Sequence, residues 1–220
     1  MSSTKINVAF LDTQEKIKQI FDFVNQKFFA EELPEVLLTV QPDKKKGKVA
    51  GWFQSKTFYR FNEEQIGQIN ICAEYLSRPW IDIAEYILHE STHLFCNING
   101  NPAKNNYHNM AFKQAAEAHG LVVEKAKNGW AKTSLNQDAR KIIEEFLEMN
   151  GFDKKPPIYR ELPPPKPINS EYVPKHIRYK CPVCEISINT PYPKPFEESF
   201  SCPKCQVTLV EMPIKRRNTK

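Results

Sequence analysis

Several things are scarce or missing in this 220-residue chain, and each absence narrows its reading. No apolar run approaches the roughly 18 residues that a membrane-spanning helix requires. The opening stretch, MSSTKINVAFLDTQEK, has neither the basic leader nor the apolar centre of a secretory signal. A soluble, cytoplasmic protein without membrane contact is therefore expected. Glycine is scarce at seven residues, and none follows Gly151. The segment beyond Gly151 holds 13 of the 17 prolines, so connections there should be stiff and extended. No internal repeat is present. What remains is 40% hydrophobic and 26% charged, enough apolar material for a packed core.

Charge divides the chain in the same place. Residues 1–151 carry 18 Lys and Arg against 19 Asp and Glu, and the rest carry 13 against 7. A basic, proline-rich end on a near-neutral body points to a separate module. A polyanionic partner is one reading of that charge, and plain solubility is the other.

Periodicity outlines the body. Ile17, Ile20, Phe21, Val24 and Phe28 share one face of a first helix, with Asp12 expected as its cap and Glu15 reaching back. Strands are expected at 36–40, 49–61 and 67–72, the first two separated by the basic loop PDKKKGK. Helices are expected at about 79–98, 109–119 and 136–150, with Gly120 stopping the second. The first of these three is apolar around most of its circumference, which marks a buried helix. Cys72 and Cys96 stand alone among apolar residues and are expected in the core.

That buried helix contains HESTH at 89–93. A spacing of four residues puts His89 and His93 on one face, where they can share a metal ion, and Glu90 lies beside them as a candidate general base. Two imidazoles and a carboxylate in so apolar a helix need partners. Catalytic zinc takes three protein ligands and keeps a position for water. By spacing alone the third ligand can be His108, His119, Glu117 or Glu124.

The other four cysteines form CPVC (181–184) and CPKC (202–205), separated by 17 residues. In a cytosolic chain such pairs read as metal ligands rather than disulfides. Four thiolates saturate a tetrahedral zinc, so this site folds its module and does no chemistry.

With these residues in view, the chain resembles the SprT-like (Spartan-type) zinc metallopeptidases. The resemblance runs through FFAEELPEVLLTVQP (28–42), AGWF (50–53), GQINIC (67–72), HESTH, YHNMAF (107–112) and the four-cysteine ribbon. The family's third ligand lies in a motif similar to H-G-x-x-F; His108 and Phe112 match it, and Asn109 stands where the family has glycine. The resemblance implies that His89, His93 and His108 bind a catalytic zinc, that Glu90 is the catalytic base, and that His119 is an ordinary helix residue. It implies an α+β fold: a zincin-like metallopeptidase domain, helices packed on a small sheet, followed by a small C-terminal β zinc ribbon. Two zinc ions per chain are expected, one catalytic and one structural. The expected layout is 1–152 for the metallopeptidase domain, 153–177 for a proline-rich linker, 178–213 for the ribbon and 214–220 for a basic tail.

Lys175, Arg178, Lys180, Lys194, Lys204, Lys215, Arg216 and Arg217 surround the ribbon, interleaved with Tyr172, Tyr179, Tyr192, Phe196 and Phe200. Cations for phosphates and rings for unstacked bases suit single-stranded or junction DNA. The alternative is that the rings are the core of a small module. The family's action at DNA implies substrates that are DNA-bound or DNA-crosslinked proteins and a nucleoid-associated enzyme. A nucleic-acid-binding protein that keeps the fold without turnover is the competing function, and the intact Glu90 speaks against it.

Overall fold

The computed structural model describes residues 3–43, 49–57, 59–102, 107–162, 176–191 and 199–212. Mixed α and β structure divides into two units, Met1–Pro163 and Pro164–Lys220. Among the described residues no helix is long and apolar enough to cross a membrane.

The apolar face expected in the first helix is one side of α1, Ser3–Phe29, and Ile17, Ile20, Phe21 and Val24 are buried. The helix starts well before the expected cap. Asp12 lies inside it and pairs with Lys16 at 3.3 Å, one turn on, so it caps nothing. Strand β1 is Leu37–Gln41 and β2 is Gly51–Gln54. The strand expected over 49–61 is interrupted after Gln54. The chain bends there and forms a separate two-residue hairpin, β3 (Arg60–Phe61) with β4 (Glu64–Gln65). The turn between them holds Asn62 and Glu63 at positive φ.

Strand β5, Gln68–Cys72, is buried at all five positions and is the centre of a three-stranded sheet. It pairs in parallel with β1, Leu37 opposite Gln68, and antiparallel with β2, Gly51 opposite Ile71. Ile69 and Ile71 feed the hydrophobic core. On the alternate positions Gln68 donates to the Thr39 hydroxyl (2.6 Å), which donates to Oδ1 of the buried Asn70 (2.8 Å), linking β1 and β5 through side chains.

Helix α2, Trp80–Ile98, packs on α1 and on the sheet, burying Trp80, Ile83, Ala84, Ile87, Leu88 and Leu94. Cys72 and Cys96 are buried as expected. Helix α3, Met110–Ala118, follows, and Gly120 comes after its end at φ 95°. Sequence patterning assigned no structure between there and residue 136. The chain instead forms an antiparallel hairpin, β6 (Leu121–Ala126) with β7 (Gly129–Leu135). Helix α4, Gln137–Met149, is capped by Asn136, whose side chain accepts from the Ala139 amide at 2.8 Å. Such a cap contributes about 1 kcal/mol.

The first residues of the expected linker are fastened to the first unit. Trp80 donates its amide to the Lys154 carbonyl, Phe152 stands edge-on to the Trp80 ring, and Arg160 binds the buried Glu74 carboxylate at 2.8 Å. The Arg160 amide also bonds to the Ala73 carbonyl, so the chain to at least residue 160 belongs with the body. Residues 163–175, 192–198 and 213–220, and with them Lys175, Lys194, Lys215, Arg216 and Arg217, lie outside the described residues.

In the second unit, β8 (His176–Lys180) pairs antiparallel with both β9 (Ser187–Pro191) and β10 (Val210–Glu211). Its core is small: Ile177, Tyr179, Cys181, Cys202 and Leu209.

Candidate metal centres

His89, Glu90 and His93 project from the middle of α2, and the spacing of four brings both histidines to one side. His108 arrives from outside any helix. Its amide donates to the Asn128 carbonyl and its carbonyl accepts from the Trp130 amide, both at 3.0 Å, so it forms an isolated β-bridge with Gly129 at the tip of the β6–β7 hairpin. The next residue, Asn109, starts α3 as its N-cap, accepting from the Phe112 amide at 2.9 Å. Its φ of −80° and ψ of −176° are extended backbone that any residue adopts, so asparagine stands at the position where the resemblance led to an expectation of glycine without backbone strain.

The three imidazoles converge. His108 Nε2 lies 3.0 Å from His93 Nε2 and 3.2 Å from His89 Nε2, and one ligand atom from each of the three lies within 4.8 Å of the others. Nitrogens sharing a tetrahedral zinc at 2.0–2.1 Å stand about 3.3 Å apart, so the spacing fits the ion. Phe112 is the hub beneath them. It is 1% exposed, and its ring centroid lies 4.4–5.0 Å from those of His93, His108 and His89. Burial, followed by the neighbouring His108, holds His89 down to about 3, and burial also takes His93 well below the usual imidazole range. Neutral imidazoles are the form that binds metal.

Glu90 is 5% exposed. Burial pushes its carboxyl up to about 7, against the opposing effect of hydrogen bonds from the Tyr86 hydroxyl and the Phe53 backbone. Tyr86 also reaches the Asn70 carbonyl at 3.4 Å. The absence of a side chain at Gly51 permits this approach, because a Cβ there would lie 2.5 Å from the Tyr86 oxygen and 1.9 Å from the Asn70 oxygen. His119, the alternative ligand, is elsewhere. Its Nδ1 lies 2.6 Å from the Ala115 carbonyl and its ring stacks on Phe29. Glu117 and Glu124 face Lys113 and Lys132.

The second cluster is Cys181, Cys184, Cys202 and Cys205, again with all ligand atoms within 4.8 Å. Two equivalent turns build it. The Cys181 amide donates to the Ile186 carbonyl and the Cys202 amide to the Val207 carbonyl, both at 2.8 Å. The residue after each pair, Glu185 and Gln206, has positive φ. The Cys184 and Val183 amides point at the Cys181 sulfur and pull its thiol down to about 6, while the hydrogen bond with Cys184 pushes Cys205 up to about 12, as expected of thiols crowded together. The donor set, four thiols in matched turns, fits a structural zinc.

Of the basic residues around the ribbon, Arg178, Lys180 and Lys204 are described, and Arg178 and Lys204 are exposed. Arg178 donates to Ser187 and Lys180 pairs with Glu185 at 2.8 Å, while Lys204 lies in the second cysteine turn. Tyr179 is buried and packs on Phe200, so those two rings serve the module's core.

Hairpin β6–β7 is the component that patterning missed, although Asn128-Gly129 between apolar alternations is a strong hairpin signal. The family model for the SprT-like family matches residues 17–132 of the chain. No curated protein and no solved structure matches it.

Proposed function

The chain belongs to the SprT-like family, and from that premise we propose that it is a zinc-dependent endopeptidase of zincin type acting on proteins bound or crosslinked to DNA. The observation that carries the reading is the convergence of three histidine Nε2 atoms, two of them from the helix that also carries the buried Glu90 carboxylate. His89, His93 and His108 would hold the ion, leaving a coordination position for a non-protein ligand. A bound zinc supplies Lewis acidity there, polarising a scissile carbonyl and acidifying water.

Glu90 does the proton work. It takes a proton from the attacking water and delivers it to the leaving amine nitrogen. Tyr86 and the Phe53 backbone hold the carboxylate in place. The cysteine cluster keeps a second, structural zinc and folds the ribbon. Its surrounding Lys and Arg residues would contact DNA, delivering the active site to a tethered protein at high local concentration.

The test compares wild type with Glu90→Gln on a DNA-bound protein substrate. Cleavage that requires metal and Glu90 supports the reading. Equal DNA binding with no cleavage by either protein would leave a nucleic-acid-binding module in place of an enzyme.

A further inference from the structure

Strand β7 runs beside α2 and is bonded to it at two rungs. The Leu135 amide donates to the Glu85 carboxylate at 3.2 Å, and the Thr133 hydroxyl lies 2.9 Å from Nδ1 of His89. Glu85 and His89 are one helical turn apart, about 6 Å of rise. Thr133 and Leu135 are two strand residues apart, about 6.8 Å. The two spacings nearly match, so helix and strand keep both rungs without distorting either element.

We infer that Thr133 is a positioning residue of the histidine centre: its hydroxyl accepts the Nδ1–H of His89 and so turns the Nε2 lone pair toward a divalent cation shared with His93 and His108. This rests on the reading of those histidines as metal ligands. A neutral imidazole carries one N–H, and the nitrogen that keeps it cannot bind metal. His89 shows its Nε2 to His108 Nε2 at 3.2 Å, so Nδ1 is the nitrogen left for the proton. The only hydrogen-bond partner that the described residues offer Nδ1 is the threonine. Thr133 is suited to the task. Its β-branched side chain has few rotamers, and its strand is pinned in register by Val123 opposite it and by the Leu135 rung next to it. Outer partners of metal-binding histidines typically hold 10–100-fold in metal affinity.

The experiment uses the full chain. Thr133→Val removes the hydroxyl at constant shape, and Thr133→Ser keeps it. Both are loaded with Co²⁺, the absorption of the histidine centre being identified by its loss in His93→Ala, and affinity is read by competition with a chelator. Thr133→Val should bind about 10–100-fold more weakly and Thr133→Ser close to the parent. In the metal-free parent, ¹⁵N shifts of the His89 ring should show the proton on Nδ1, and in Thr133→Val a mixture. Thermal unfolding of the metal-free proteins shows whether each variant is folded. Parental affinity in a folded Thr133→Val, or a serine variant as weak as the valine one, would overturn the inference. A parent that binds metal, responds to Thr133→Val as described and cleaves nothing overturns the peptidase reading alone. A parent with no metal at this centre overturns both.

Discussion

A Cβ placed on Gly129 would stand 2.3 Å from the carbonyl oxygen of His108. The two backbones touch because the third histidine of the cluster is held as a bridge against the hairpin tip, at a residue whose φ of 81° already favours glycine. Gly129→Ala should therefore displace His108. The strain amounts to about 1–3 kcal/mol, and metal affinity at the histidine centre should fall at least tenfold. Zinc content after dialysis against a weak chelator reads the effect, and parental retention would mean that the bridge is dispensable.

His108 and His119 should behave oppositely. His108→Ala removes one of three converging nitrogens and should lose the histidine-bound ion, since two ligands hold zinc far more weakly than three. His119→Ala should keep it, because His119 is bonded to Ala115 and stacked on Phe29. Metal analysis of the two purified variants decides between them.

The metal-free body should be least stable in acid. His89 and His93 stay neutral in the fold, while unfolded imidazoles titrate near 6.5. Their contribution is present above about 6.5 and is lost as pH falls toward the folded values. Glu90 has the opposite sign: raised from 4.5 to about 7, it favours the fold at low pH and loses that contribution as pH rises between those values. Burial raises Glu85 in the same sense as Glu90; the two strongly lowered imidazoles outweigh these carboxyls as the Glu85 contribution fades, so the urea midpoint should rise between about pH 5.5 and 6.5. All three tryptophans, Trp52, Trp80 and Trp130, lie in the first unit, so their fluorescence follows the body alone. A flat or falling profile contradicts the assignment.

Cys181→Ser should abolish one of two bound zinc ions and unfold the second unit, whose small core includes Cys181 and Cys202 themselves. Tryptophan fluorescence and the histidine centre should stay as in the parent. Loss of both ions would show that the units depend on each other.

Neutralising Lys215, Arg216 and Arg217 together tests the proposed DNA contact. Affinity should weaken and the logarithmic salt slope should flatten by up to about three, with cleavage of a short peptide unchanged. Unchanged DNA affinity would reduce this stretch to a solubilising tail.

Much of this was readable beforehand because it rests on short-range spacing. The i, i+4 pair in α2 and the paired C-x-x-C motifs each depend on residues within a few positions of one another. Position 109 was harder: glycine versus asparagine is decided by the backbone angle, which spacing does not carry. The start of α1 differs from the expected one because its first turns bury little, with Ile6, Val8 and Leu11 each more than half exposed, so no apolar face marks them. In the hairpin, LVVEKAKNGWAKTSL alternates weakly, and Asn128-Gly129 is its one clear local signal. The rung from Thr133 to His89 spans 44 residues, and no local pattern records it.

The hairpin also imposes an order on the making of the protein. All three histidines have been synthesised once residue 108 is added, yet the bridge to Gly129 and the bond to Thr133 come from residues made later. A nascent chain that ends between His108 and Leu135 holds every ligand without the strand that arranges them. On the proposed metal reading, the histidine centre is completed only after the hairpin has been made, so loading of the ion would wait until residue 135 is in place.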